Sequence, residues 1–276
     1  MEAVMWRVAA LLAALLVLAG CRESDEVGSN SVVAAFYPLA WAVEEIGGDS
    51  IEVVNLTPPG AEPHDVELSP RDVERIRDAG LVVYVGGGFQ PAVEDAVADR
   101  DGASLDVSGG DRDPHVWLDP ARFADVVREI GRAVGRPTRA GVLAEELERL
   151  DGSYRRGLED CESRAFVTTH AAFGHLADRY ALTQLSLTGT APEAEPGPRE
   201  LERLVHRVRA SGATTVFAEP LVSDRLAETV AREAGASVAV LDPLEGLADD
   251  RLEAGESYLT VMRDNLAALR EALRCP

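Results

Sequence analysis

The chain has 276 residues, of which 46% are hydrophobic, and its formal net charge is −21. A chain of this size can bury a large core, either as one α/β unit or as two domains, and we expect two domains. A surface that binds nucleic acid needs a basic face, so the acidic charge argues against nucleic acid as a partner.

The N-terminus has the features of a bacterial signal peptide. An apolar run at 6–19 follows the start of the chain and carries one arginine, Arg7; it is short for a membrane span. It leads into LAGC at 18–21, which resembles the lipobox of bacterial lipoproteins. We predict a signal peptide at 1–20, a lipid anchor on Cys21 and a polar tether at 21–30. The alternative is an ordinary apolar helix whose cysteine has no role.

Export changes the meaning of the other two cysteines. Cys161 and Cys275 would lie in an oxidising compartment, where an even number of cysteines favours disulfides. We therefore predict a Cys161–Cys275 bridge. Thiolate ligation of a metal is less favoured, because neither cysteine has a partner at CxxC spacing.

The first half of the mature chain, 31–136, alternates strands and helices, which is typical of a parallel sheet covered on both faces. Strands are predicted at 32–36, 51–56, 81–85 and 103–107. Helices are predicted from Pro38, from Pro70 with Ser69 as its cap, and from Pro91.

Two long helical stretches, 120–134 and 138–159, follow without a strand between them. We interpret the second, within 137–160, as a mostly solvated helix that links the two domains. The remaining part, 161–276, repeats the alternation, with strands at 165–169, 182–187, 214–218 and 238–241 and helices at 171–180, 198–210, 223–234 and 255–273. The prediction is an α/β protein with two mainly parallel sheets related by pseudo-symmetry.

Four metal-ligating side chains share one position in this pattern. His64, His115, His170 and Asp242 each follow a predicted strand. Ligands of parallel sheets bind at the carboxyl ends of the strands, so the four are expected to meet in a cleft between the domains. Three imidazoles and one carboxylate form a complete tetrahedral set for a divalent cation such as zinc.

The position of the fourth ligand has more than one candidate residue. Asp242 precedes Pro243 and is also a good turn former. Glu219 follows the strand at 214–218 and is a candidate either for the fourth ligand or for a carboxylate that hydrogen-bonds a ligand imidazole. Glu62 has a weaker claim to the latter role. His175 is expected to lie on a helix surface or to take part in packing, and His206 is expected to face solvent on an amphipathic helix.

Several motifs resemble one family along the whole mature chain. They are FYP at 36–38, PGAEPHD at 59–65, DPHVWLDP at 113–120, THAAFG at 169–174 and LDPL at 241–244. With them, the chain resembles the zinc and manganese substrate-binding lipoproteins of bacterial ABC transporters. The resemblance implies that His64, His115, His170 and Asp242 are the ligands and that a long helix joins two α/β domains. It also implies that the protein captures a metal ion outside the cytoplasmic membrane and delivers it to an ABC permease. We expect a monomer.

The resemblance favours Zn²⁺ over Mn²⁺, because manganese-type members tend to carry a carboxylate where this chain has His170, and imidazole favours zinc. We expect no enzymatic activity. A zinc hydrolase would need an open fourth position and a base, and neither HExxH nor a nucleophile elbow occurs in the sequence. A surface adhesin or structural lipoprotein without a metal cleft is the other alternative.

Overall fold

The structure is a computed structural model that describes residues 31–191 and 196–276. The predicted signal peptide, the tether and the lipidated Cys21 lie outside these residues. None of the described helices is both long enough and apolar enough to cross a membrane.

Within the described residues, eight short strands form two four-stranded sheets in which every pairing is parallel. The first sheet has the order β2-β1-β3-β4 and the second the order β6-β5-β7-β8, so the two halves repeat one topology. This confirms the predicted pair of pseudo-symmetric parallel sheets. The strands are β1 (Ser31–Ala34), β2 (Glu52–Asn55), β3 (Leu81–Tyr84), β4 (Ala103–Asp106), β5 (Ala165–Thr168), β6 (Thr183–Ser186), β7 (Thr215–Ala218) and β8 (Ser237–Val240).

Helices connect the strands, and several begin at the predicted proline positions. Ser69 forms a reciprocal capping box with Asp72 at the start of α2, and the Asp119 side chain caps α4. The helices are α1 (Tyr37–Gly47), α2 (Pro70–Asp78), α3 (Pro91–Ala98), α4 (Pro120–Ala133), α5 (Pro137–Leu158), α6 (Gly174–Arg179), α7 (Pro198–Ser211), α8 (Arg225–Ala234), α9 (Asp249–Glu253) and α10 (Tyr258–Ala272).

Two predicted helices differ from the observed ones. The helix predicted at 171–180 is shorter, because the residues after β5 form a hydrogen-bonded loop in which Thr168 Oγ1 donates to the carbonyl of His170 at 2.6 Å. The helix predicted at 255–273 is α10, which begins three residues later at Tyr258; the short helix α9, which was not predicted, precedes it and ends before Gly255, where φ is 84°.

The linker helix α5 has 22 residues and is therefore about 33 Å long. It is less solvated than predicted, because a stripe from Ala140 to Leu158 is buried against α4 and α10. The crossing with α4 is close: a Cβ added to Gly131 would lie 2.1 Å from Ala140 Cβ. The predicted domain boundaries lie beside the ends of this helix, and the division into domains stays a prediction.

The last helix joins the two halves into one core. Trp41 on α1 stacks on Tyr258 on α10 with ring centroids 4.8 Å apart, and Tyr258 Oη donates to the Trp117 carbonyl at 2.5 Å. The Trp117 indole in turn donates to the Pro243 carbonyl at 2.7 Å. The loops that follow β4 and β8 are therefore held together directly.

The structure contains a Cys161–Cys275 disulfide. It connects the segment after α5 to the C-terminus across 114 residues. Closing a loop of this length in the unfolded chain stabilises the fold by about 5 kcal/mol in the chain-entropy model.

Candidate metal centre

Three histidines meet between the carboxyl ends of the two sheets. His64 lies in a single 3₁₀ turn, Pro63–Asp65, after β2; His115 precedes a second turn, Val116–Leu118, after β4; and His170 follows β5. Their ring centroids are 5.3 to 6.0 Å apart. The structure therefore brings the three predicted histidines together.

The fourth side chain of the cluster is Glu245, in the loop after β8. Its Oε1 lies 3.1 Å from His170 Nε2 and 3.3 Å from both His64 Nε2 and His115 Nε2. Zinc sites with ligand distances of about 2.0–2.1 Å have tetrahedral edges of about 3.3–3.4 Å. The carboxylate is thus spaced from all three nitrogens as one corner of such a tetrahedron.

Asp242, the fourth ligand expected from the sequence, is not part of this cluster. One carboxylate oxygen accepts from the Leu244 N–H at 2.7 Å, and the other accepts from Arg251 Nη1 at 2.6 Å. The side chain shapes the loop in the way expected of a turn former. The carboxylate that faces the histidines comes from three residues further along the same loop.

Two carboxylates orient the histidines from behind. His170 Nδ1 donates to Glu219 Oε2 at 2.5 Å, and the His170 backbone N–H donates to Glu219 Oε1 at 3.0 Å. His115 Nδ1 and its backbone N–H both donate to Asp113 Oδ1, at 2.7 and 3.1 Å. A carboxylate only accepts, so Nδ1 carries a proton in both rings, and Nε2 is the nitrogen left to coordinate a metal once any proton on it has been displaced.

Glu62 hydrogen-bonds the backbone of one of the three histidines. Its Oε1 accepts from the His64 N–H at 3.1 Å and caps the turn that carries the histidine. Among the other histidines, His175 accepts from Arg122 beside Asp113, and His206 is exposed on α7. Neither belongs to the cluster.

The cluster is strongly coupled in the metal-free protein. Burial disfavours the imidazolium form of His170, but the carboxylates of Glu219 and Glu245 outweigh burial and raise the pKa of His170 to about 10. Burial would raise the pKa of Glu245, yet its hydrogen bonds with the three histidines hold that pKa well below its usual range. A divalent cation placed among these groups would replace the proton that now holds them together.

Burial and hydrogen bonding also fit a metal. The side chain of His64 is 8% exposed, whereas those of His115, His170 and Glu245 are at most 1% exposed. His115 Nε2 is buried, and it lies 3.3 Å from Glu245 Oε1 without making a well-directed hydrogen bond. A buried nitrogen lone pair without a donor is costly unless a ligand binds it.

Comparison with known proteins agrees with this site. The profile of one protein family, described as the zinc-uptake complex component A, periplasmic, matches residues 32–272. The chain belongs to this family. It is 33% identical to the zinc-binding protein AdcA of Streptococcus pyogenes serotype M1 over 287 residues, which cover 88% of the chain. The match covers 56% of that relative, so the chain spans about half of its length.

Solved structures of related proteins share the fold. The laminin-binding protein Lmb of Streptococcus agalactiae, described as bifunctional with adhesin and metal transporting activity, superposes with a TM-score of 0.81 at 32% identity, covering 88% of this chain and 99% of that one. The Zn(II)-bound ZnuA-like domain of Streptococcus pneumoniae AdcA gives a TM-score of 0.76 at 32% identity, covering 88% and 98%. The comparisons thus confirm the family and the two-sheet fold expected from the sequence.

Two residues of the cluster and its hydrogen-bond partners, Glu245 and Asp113, were not singled out from the sequence of this zinc-uptake family member. Glu245 lies in the loop whose position after β8 had already been singled out, but Asp242 was preferred to it. Asp113 precedes His115 by two residues and was quoted only as part of a motif. A carboxylate two residues before a loop histidine is a signal for such a hydrogen bond, since an Asx turn bonds the backbone two residues on.

Proposed function

We propose that the protein captures Zn²⁺ outside the cytoplasmic membrane and delivers it to an ABC permease. The observation that supports this most strongly is the buried set of three imidazole nitrogens and one carboxylate oxygen at tetrahedral spacing. The Zn(II)-bound relative with the same fold and the zinc-uptake description of the family point to the same cargo.

The proposed ligands are His64, His115, His170 and Glu245, with Asp113 and Glu219 holding two of the imidazoles. Three nitrogen donors favour zinc over manganese, which prefers oxygen ligands. Manganese is the alternative cargo, and its preference for octahedral oxygen sites does not suit a four-donor set that is this closed.

A closed set also favours capture over catalysis. A zinc hydrolase keeps one coordination position for water, whereas here a carboxylate lies at the fourth corner. Lipidation of Cys21 would keep the protein at the outer face of the membrane, close to its permease, and delivery by a monomer stays our prediction.

Metal analysis of the leaderless protein tests this proposal. We expect one zinc per chain after competitive loading with zinc and manganese. Glu245→Ala should weaken zinc binding by at least about 100-fold, because even the loss of an outer hydrogen bond to a ligand costs about 10- to 100-fold. Glu253→Ala, at an exposed glutamate on α9, is the matched control and should bind zinc as the wild type does.

Three results would contradict the proposal. They are preferential loading with manganese, unchanged zinc affinity in Glu245→Ala, and a zinc-bound crystal structure in which Asp242 coordinates the ion. New hydrolytic activity in the Glu245→Ala protein would revive the hydrolase alternative.

A further inference from the structure

The Glu245 carboxylate is presented by a loop without regular secondary structure. Residues 241–248, between β8 and α9, have no sheet or helix partner for most of their backbone groups. Such groups must be satisfied by other parts of the protein when they are buried. The partners of this loop therefore decide where Glu245 lies.

Asn265 on α10 fixes the start of the loop. Its Oδ1 accepts from the Asp242 N–H at 2.9 Å, and its Nδ2 donates to the Asp242 carbonyl at 2.7 Å. The Trp117 indole fixes the next residue through the Pro243 carbonyl. The backbone is thus anchored up to Pro243, two residues before Glu245.

The next residue, Leu244, has a strained backbone conformation. Leu244 is fully buried and has a φ of 56°, in the left-handed region that non-glycine residues seldom adopt. Strained backbone of this kind persists only when its surroundings impose it. The hydrogen bond from the Leu244 N–H to Asp242 Oδ1, at 2.7 Å, is the side-chain contact that closes this turn.

Arg251 on α9 forms an ion pair with the Asp242 carboxylate. Its Nη1 donates to Asp242 Oδ2 at 2.6 Å, while Nε and Nη2 donate to Glu256 Oε2 at 2.9 and 2.7 Å. Asp242 is only 5% exposed, and burial raises the pKa of its carboxyl group. Without the guanidinium, a buried carboxylate would lose its counter-ion and would turn toward solvent or take up a proton.

We infer that Arg251 is a positioning residue for metal capture, which holds Glu245 against the three histidines through Asp242 and the turn at Leu244. This inference rests on the proposed zinc function. It gives Asp242 a role in zinc affinity without making it a ligand. The Arg251 side chain is 27% exposed, whereas that of Glu245 is 1% exposed. The positioning residue therefore lies near the surface and the proposed ligand lies in the interior.

Zinc titration of Arg251→Gln against a competing chelator tests the inference. We expect a zinc Kd raised about tenfold, a faster zinc dissociation rate, and an altered visible spectrum of the cobalt-loaded protein. Arg251→Lys, which keeps the charge but not the planar fork, should recover part of the affinity. Arg263→Gln, at an exposed arginine on α10, is the control and should change none of these quantities.

A double-mutant cycle separates positioning from a general effect on structure. In the Glu245→Ala background, Arg251→Gln should cause no further loss of zinc affinity, since the group that it positions is gone. A full additional loss would overturn the inference, and so would an unchanged Kd in Arg251→Gln.

Two other results are possible: Arg251→Gln does not fold, or the wild-type protein does not bind zinc. If Arg251→Gln does not fold, Glu256→Ala removes the oxygen that accepts from Nε and Nη2 of Arg251 and so orients the guanidinium. This variant should also raise the zinc Kd, and the effect should disappear in the Glu245→Ala background. An unchanged Kd in that variant would overturn the inference. If the wild-type protein itself fails to bind zinc, the proposed function fails instead, and the two failures are distinguishable.

Discussion

Glu219 offers the sharpest test of how the site selects its imidazole tautomer. Its two oxygens accept from two separate donors of one residue, the backbone N–H and the Nδ1–H of His170. In Glu219→Gln only one acceptor oxygen remains. Either the loop that carries His170 shifts, or the imidazole ring keeps its proton on Nε2 instead of Nδ1. Nε2 is the atom that faces Glu245 and the other two histidines.

The size of the effect follows from burial. Glu219 is 4% exposed and His170 is fully buried, so the donor that loses its acceptor cannot turn to bulk water. An unsatisfied buried donor costs about 1–3 kcal/mol. This corresponds to a zinc affinity about 10- to 100-fold lower, in the range measured for hydrogen-bond partners of metal-bound histidines.

Asp113→Asn is the matched comparison. One oxygen, Oδ1, accepts from both donors of His115, so an asparagine oxygen in the same place can keep both hydrogen bonds. Only the charge is lost, and we expect a reduction in zinc affinity of no more than about tenfold.

The assay is chelator competition at fixed pH, with the melting temperature of each metal-free variant measured in parallel. The reasoning would be refuted if Glu219→Gln bound zinc as tightly as the wild type. It would also be refuted if Asp113→Asn lost more affinity than Glu219→Gln.

Three other predictions concern pH and stability. Because the pKa of His170 is raised to about 10 in the metal-free protein, zinc must displace its proton at neutral pH. Zinc affinity should therefore rise by about tenfold per pH unit for each proton released, measured by calorimetry in buffers of different ionisation enthalpy. Replacing Cys161 and Cys275 by serine should lower the free energy of unfolding by about 5 kcal/mol, measured with denaturant, and leave zinc affinity unchanged. Gly131→Ala should destabilise the fold by about 1–3 kcal/mol, measured in the same way, since its methyl group would overlap Ala140.

Each of these predictions has a control or a contradicting outcome. A zinc affinity independent of pH would mean that His170 is already neutral in the metal-free protein. Weaker zinc binding in the serine variant would mean that the disulfide supports the site. Gly141→Ala, where an added Cβ meets nothing within 4 Å, should instead stabilise the linker helix by about 0.5–1 kcal/mol.

The raised pKa of His170 also affects the metal-free protein itself. A folded-state pKa above the ordinary value of 6.5 contributes stability that is fully present below pH 6.5 and is lost as the pH rises toward 10. The metal-free protein should therefore lose stability at alkaline pH, where the zinc-bound protein has no such proton to lose.

Much of the fold could be read from the order of residues. Alternating apolar runs and helix starts at Pro70, Pro120 and Pro198 predicted the two parallel sheets and most helix positions, because strand and helix patterns are local. Ligands of parallel sheets bind at the carboxyl ends of the strands, and His64, His115 and His170 each follow a strand. The sequence therefore predicted that these three histidines would meet.

The fourth donor was decided by tertiary structure alone. Asp242 and Glu245 are three residues apart in one loop, and both carry a carboxylate. Glu245 faces the histidines, whereas Asp242 pairs with Arg251, a partner nine residues away whose contact appears only after the chain has folded; a left-handed turn at Leu244 lies between the two carboxylates. The local sequence therefore predicted a carboxylate in the loop after β8, and only the folded path of that loop placed Glu245 beside the histidines.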